Sequence, residues 1–138
     1  MRTVTRPIRC DHHEIELLLG VLEEQCTLFG RGERPDYELL SETIDCLRSL
    51  LDHFCYPRED LLISLIKHRN ESCDRAIANV LAERVVAASS LQALSDYLRD
   101  VLNEQRVSRQ SFCEAASAFV QHQRRQIEVV ARELVPVA

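Results

Sequence analysis

Tryptophan is absent from this chain, glycine and proline are scarce at three and four residues, and the aromatics are four Phe and three Tyr among 138 residues. So few turn formers leave little room for a loop-rich or many-stranded fold. So few aromatics exclude a surface on which nucleic-acid bases could stack. The net charge of −5 argues equally against a phosphate-binding face. No stretch approaches the roughly 18 uninterrupted apolar residues of a membrane span. Met1 to Cys10 carries three arginines and lacks the apolar core of a signal peptide. The expectation is therefore a cytoplasmic protein with reduced thiols. Also missing are a nucleophile–base arrangement, a phosphate loop and paired acid–base carboxylates, so the chain is not expected to be an enzyme. Six cysteines are present, yet none forms C-x-x-C and their spacings match no zinc module. Most are expected to be small buried hydrophobes.

What is abundant is the vocabulary of helices: Leu, Ala, Glu, Arg and Val. The length suits a single domain over residues 1–138 that buries a core of its own. Apolar residues recur at steps of three and four in four segments. The first runs from about Asp11 to Phe29 and stops in Gly30-Arg31-Gly32, with Asp36 as the cap of the next. The second runs from about Tyr37 to His68, with a kink expected at Pro57. Asn70-Glu71-Ser72 breaks it and offers Ser72 as a cap. The third spans about Cys73 to Leu102, with Ile77, Leu81, Ala88, Leu91, Leu98 and Leu102 inward. The fourth starts near Ser108 or Ser111, where Ser111 to Glu114 fits a capping box, and ends at Pro136. Short joints between long helices imply an all-α, antiparallel up-down-up-down four-helix bundle.

Several polar residues fall on the inward stripes, where a soluble bundle should be apolar. His12 lies three before Ile15, with Glu16 one turn on. Cys55 and Glu59 lie between Leu51 and Leu62. Arg84 stands seven from both Ile77 and Leu91. Gln126 stands seven from Phe119, with His122 one turn earlier. Antiparallel packing would bring these groups from all four helices to one level, near the end that holds the N-terminus. Residues four apart share a helix face, so Cys55 and Glu59 would project together.

In these segments the chain resembles the hemerythrin-like, or HHE cation-binding, family. Asp11-His12-His13-Glu14-Ile15 followed by Leu18-Leu19 is similar to that family's opening. Cys55-Tyr56-Pro57-Arg58-Glu59-Asp60 resembles its His-His-Pro-Lys-Glu-Asp run, with Cys55 in place of the histidine. Glu83-Arg84 falls where Glu-His is usual, and Arg124-Arg125-Gln126-Ile127 resembles Arg-Arg-His-Met. The resemblance implies a four-helix bundle holding two non-haem irons. It also implies that Gln126 and Val130 stand where helix four supplies ligands, and Arg84 where helix three does. His12 and Glu59 are kept, and Cys55 is a chemically competent substitute.

Two readings of this layer follow. In one, Arg84 turns inward and pairs with Glu59, and with Glu16, where iron would otherwise sit, because a buried guanidinium seeks a carboxylate. In the other, His12, Cys55, Glu59 and His122 form a remodelled four-ligand set, suited to zinc or a single iron rather than a di-iron centre. The corresponding functions are two. One is a non-enzymatic metal or small-ligand binder linked to iron, dioxygen, nitric oxide or redox stress. The other is a metal-free interaction or regulatory module, acting as a homodimer or with a protein partner. A third, a cysteine-based redox or metal (zinc, iron–sulfur) sensor, rests on Cys26, Cys46 and Cys113 at the far end of the bundle, and on Cys10 with Cys73 at the near end.

Overall fold

The computed structural model describes residues 2–69 and 71–137; Asn70, part of the break expected after the second helix, and Ala138 lie outside them. The helices are α1 (Arg2–Gly30), α2 (Tyr37–Leu50), α3 (Tyr56–Arg69), α4 (Asp74–Leu102) and α5 (Arg109–Val129). A π turn over Leu51–Cys55 fuses α2 and α3 into one rod, and a second, Val130–Leu134, extends α5. The described residues form four helical rods and no strand, consistent with a four-helix bundle. Among the described residues, no helix is long and apolar enough to cross a membrane.

The rod ends follow local chemistry. Gly32, at φ 81°, takes the left-handed conformation that closes α1, and the Glu33 N–H donates to the Leu28 carbonyl at 3.0 Å. Asp36 caps α2 as expected, accepting from the Leu39 N–H at 3.0 Å. Its own N–H donates to Gln25 Oε1 at 2.8 Å and ties the loop back to α1. Of the two starts expected for the fourth helix, Ser108 is the cap of α5, accepting from the Ser111 N–H at 2.9 Å. Two expectations shift. Cys73 rather than Ser72 holds the cap position of α4. Helix α1 starts at Arg2 instead of near Asp11, its extra turns anchored by the fully buried Ile8.

Buried positions on each rod advance by alternating steps of three and four, the repeat of packed helices. On α1 they are Ile8, His12, Ile15, Leu19, Leu22, Cys26 and Phe29. On α4 they are Ile77, Val80, Ala87, Leu91, Leu94 and Leu98, and Arg84 fills the step between Val80 and Ala87. Leu81, Ala88 and Leu102, expected inward, are exposed instead.

The α2–α3 rod follows the same steps through Leu40, Ile44, Leu47 and Leu51, then resumes one residue late at Cys55, Glu59, Leu62 and Ile66. The π turn causes the delay, since the Tyr56 N–H bonds to the Leu51 carbonyl five residues back. Without that extra residue Phe54 and Arg58 would take the inward steps. With it, Phe54 is 48% exposed and Cys55 and Glu59 are inside. Pro57 follows directly, so the widened turn sits where the proline ring would crowd the preceding carbonyls.

Two apolar clusters result. The larger gathers Ile15, Leu19, Leu47, Leu94, Phe112 and Phe119 with others, and includes an edge-on pair of Phe29 and Phe112 with ring centres 5.2 Å apart. The smaller gathers Ile8, Leu62, Ile66, Ile77, Val80 and Leu134 with others. Fully burying each such side chain contributes about 1.5–3 kcal/mol. Between the clusters every rod contributes polar residues.

Candidate metal centre

The dividing layer is built at the step each rod takes from one apolar cluster to the other. Helix α1 supplies Asp11 and His12 between Ile8 and Ile15, and α3 supplies Glu59 between Cys55 and Leu62. Helix α4 supplies Arg84, and α5 supplies Gln123 and Gln126 between Val120 and Val129. Glu59, Gln123 and Gln126 are wholly buried, and Asp11 and His12 nearly so.

Glu59 is the hub, and its two oxygens face different partners. The Cys55 thiol donates to Oε2 at 2.8 Å, and His12 Nε2 lies 3.4 Å from the same oxygen. Gln126 Nε2 donates to Oε1 at 2.8 Å, and Arg84 Nη2 donates to it at 3.3 Å. Arg84 also donates from Nη1 to Asp60 Oδ1 at 2.7 Å, and its guanidinium lies over the Tyr56 ring at 4.5 Å. Behind Gln126, Gln123 Nε2 donates to Gln126 Oε1 at 3.4 Å. Beside His12, Arg58 Nη1 donates to Asp11 Oδ1 at 2.6 Å. Four buried polar atoms, Asp11 Oδ2, Tyr56 Oη, Arg84 Nε and Gln123 Oε1, have no hydrogen-bond partner among the described residues.

The electrostatics follow from this geometry. Burial pushes the Glu59 carboxyl up, but the hydrogen bonds from His12 and Cys55 and the charges of His12 and Arg84 outweigh it, holding Glu59 below the usual range. Burial, then the Glu59 charge, pushes the Cys55 thiol far up, and the same two causes raise Tyr56. Arg84 loses some basicity to burial and regains more from Asp60 and Glu59, so it stays charged.

Arg84, Gln126, Cys55, His12 and Glu59 all meet in this layer, as their spacing suggested. Glu16 does not: it is exposed and bonded to Arg124 on the surface at 2.7 Å. His122, placed in the four-ligand set from its position one turn before Gln126, is half-buried and directs Nδ1 to Ser90 on α4. His13, His53 and His68 are exposed, as surface histidines should be. Asp11 and Gln123 were missed, although each stands beside or one turn from a residue already singled out. All six thiols are free. Cys113 Sγ approaches the Cys26 carbonyl at 3.4 Å, while Cys10 and Cys46 are exposed and Cys73 is buried.

His12, Cys55 and Glu59 bring one ligand atom each within 4.8 Å of one another. Thiol, imidazole and carboxylate at that spacing fit a single cation. They do not fit a dinuclear centre. Arg84 and Gln126 bond the very oxygen a second ion would need, and a guanidinium cannot give up its proton.

In comparisons with known proteins, no family model matches the chain, nor does any curated protein or solved structure. The likeness to hemerythrin-like proteins therefore rests on the residues themselves.

Proposed function

We propose that this chain is a hemerythrin-like bundle, wound up-down-up-down, whose polar layer is a remodelled site for one divalent cation. The protein binds or senses through that site and does not catalyse. One observation carries this reading. Glu59 turns Oε2 toward His12 and Cys55 while Arg84 and Gln126 occupy Oε1. Arg84 thus bonds a different oxygen from the one that faces His12 and Cys55, so its charge opposes a cation without blocking the three ligands. The helix pairing supports the winding. Asp11–Arg58 and Gln25–Asp36 join α1 to the second rod in opposite chain order, and Arg48–Ser95 and Asp60–Arg84 do the same for the second rod and α4.

Charge supports a single ion. A Cys55 thiolate and the Glu59 carboxylate would neutralise a dication, leaving Arg84 paired with Asp60. A thiolate with imidazole and carboxylate suits zinc or ferrous iron. Three protein ligands leave a position where water, dioxygen or nitric oxide fits. Because the thiol is held protonated, loading the site releases a proton and strengthens as pH rises.

A second reading keeps the layer metal-free. The Glu59 carboxylate already accepts from Cys55, Gln126 and Arg84. Exposed Leu17 and Phe54 border a groove of about 410 Å³ that offers a docking face. Equilibrium dialysis against zinc, with elemental analysis, separates the two. The first reading expects one zinc per chain, lost in Cys55→Ser and His12→Ala; a folded chain that takes up none supports the second.

A further inference from the structure

We infer that Asp11 is the fourth functional group of this layer: its free Oδ2 accepts a hydrogen bond from a protic ligand, water in the resting protein, in the position that His12, Cys55 and Glu59 leave open. The inference rests on the one-cation reading above.

Asp11 immediately precedes His12 on α1 and is only 4% exposed. Arg58 takes Oδ1 at 2.6 Å, yet Oδ2 is buried with no hydrogen-bond partner among the described residues. Folded proteins rarely leave a carboxylate oxygen in that state, because its lost hydration is not replaced. The ion pair itself does not require the burial. The Arg58 side chain is 39% exposed, so the two charges would meet equally well at the surface. Asp11 is instead held inward, one residue from His12, with its partner Arg58 one residue from Glu59.

Its surroundings indicate what it faces. The Asp11 charge is among those that oppose ionisation of Cys55, after burial and Glu59, so its carboxylate lies within electrostatic reach of the sulfur. It stands outside the group of three ligand atoms that lie within 4.8 Å of one another, so its part is toward a bound ligand rather than the ion. A second unmet acceptor, Gln123 Oε1 on α5, belongs to the same layer. The unmet donors, Arg84 Nε and Tyr56 Oη, belong to α4 and the second rod, where the guanidinium covers the Tyr56 ring. The α1 side of the layer therefore calls for a proton donor, and a cation-held water supplies one.

The test uses the full chain loaded with cobalt(II) and titrated with azide, an anion that competes for the open position. Asp11→Asn removes the carboxylate charge and leaves the three ligands. It should keep the sulfur-to-cobalt absorption and bind azide about tenfold more tightly, and Asp11→Glu should return affinity toward the wild type. Arg58→Met breaks the same ion pair but keeps the carboxylate, so its azide affinity should fall below the wild type rather than rise. Unchanged azide affinity in Asp11→Asn, or an equal gain in Arg58→Met, would overturn the role of Asp11 while leaving the cation site standing. No sulfur-to-cobalt absorption in the wild type would overturn both.

Discussion

Arg84 meets Glu59 on Oε1 alone, at 3.3 Å, and leaves Oε2 to Cys55 and His12. A buried carboxylate shared in this way is both the structural keystone of the layer and the wall between its two halves.

Removing Glu59 should therefore cost more than removing a surface acid. Glu59→Ala strands the Gln126 amide and leaves Arg84 only the exposed Asp60. Breaking a buried pair from one side costs about 3–5 kcal/mol. Urea unfolding monitored by circular dichroism should show a loss of that size. A change under about 1 kcal/mol, the level of surface ion pairs, would mean that the pairing contributes little.

Arg84→Met should behave differently. Methionine fits the buried step between Val80 and Ala87, and Glu59 retains donors from Gln126 and Cys55. Removing one partner of a buried pair costs about 3–5 kcal/mol when the other charge is stranded, and the two donors Glu59 keeps should hold the loss below that of Glu59→Ala. Loss of the adjacent positive charge should tighten zinc binding by roughly tenfold or more. Competition with a chelator measures this, and weaker binding would show that Arg84 supports the site rather than opposing it.

The π turn before Glu59 offers a register test. Deleting the exposed Asp52 removes the extra residue and puts Cys55 three residues after Leu51, so a regular helix would keep Cys55, Glu59, Leu62 and Ile66 on the inward steps of three and four. The expected outcome is cooperative unfolding with a loss of no more than about 3 kcal/mol, the penalty of setting Pro57 in a regular helix. A mutant that no longer unfolds cooperatively would show that the π turn does more than absorb one residue.

Thiol chemistry gives an independent check on burial. Burial, aided by Cys113, pushes the Cys26 thiol from 9.0 up to about 12. At pH 8 the exposed Cys10 and Cys46 should alkylate first, with Cys26 and Cys55 protected until the chain unfolds. A thiol raised on folding contributes stability that is complete below its unfolded value. That contribution should decline as pH rises above 9 and be gone past about 12. Peptide mapping of the first modified sites and unfolding curves from pH 8 to 11 check the two statements.

Much of this was legible from spacing, and the misses have physical causes. Arg84 stands seven from Ile77 and from Leu91, and two turns of helix return a residue to nearly the same face. Its inward placement followed. The same repeat does not decide between steps of three and four, so from Ile77 the stripe was carried to Leu81 when packing selects Val80. Glu16 was assigned inward by the same ambiguity, one step past His12, and Arg124 holds it at the surface. The π turns left no mark in composition, although one of them puts Cys55 inside and Phe54 outside. Asp11 was overlooked because its neighbour His12 fully accounted for that step of α1.

Titration of metal-free protein with cobalt(II), followed by the sulfur-to-cobalt charge-transfer absorption, tests the central claim most directly. The account predicts an absorption that saturates at one cobalt per chain and vanishes in Cys55→Ser. Saturation at two cobalt per chain, or a folded protein that develops no such absorption, would contradict it.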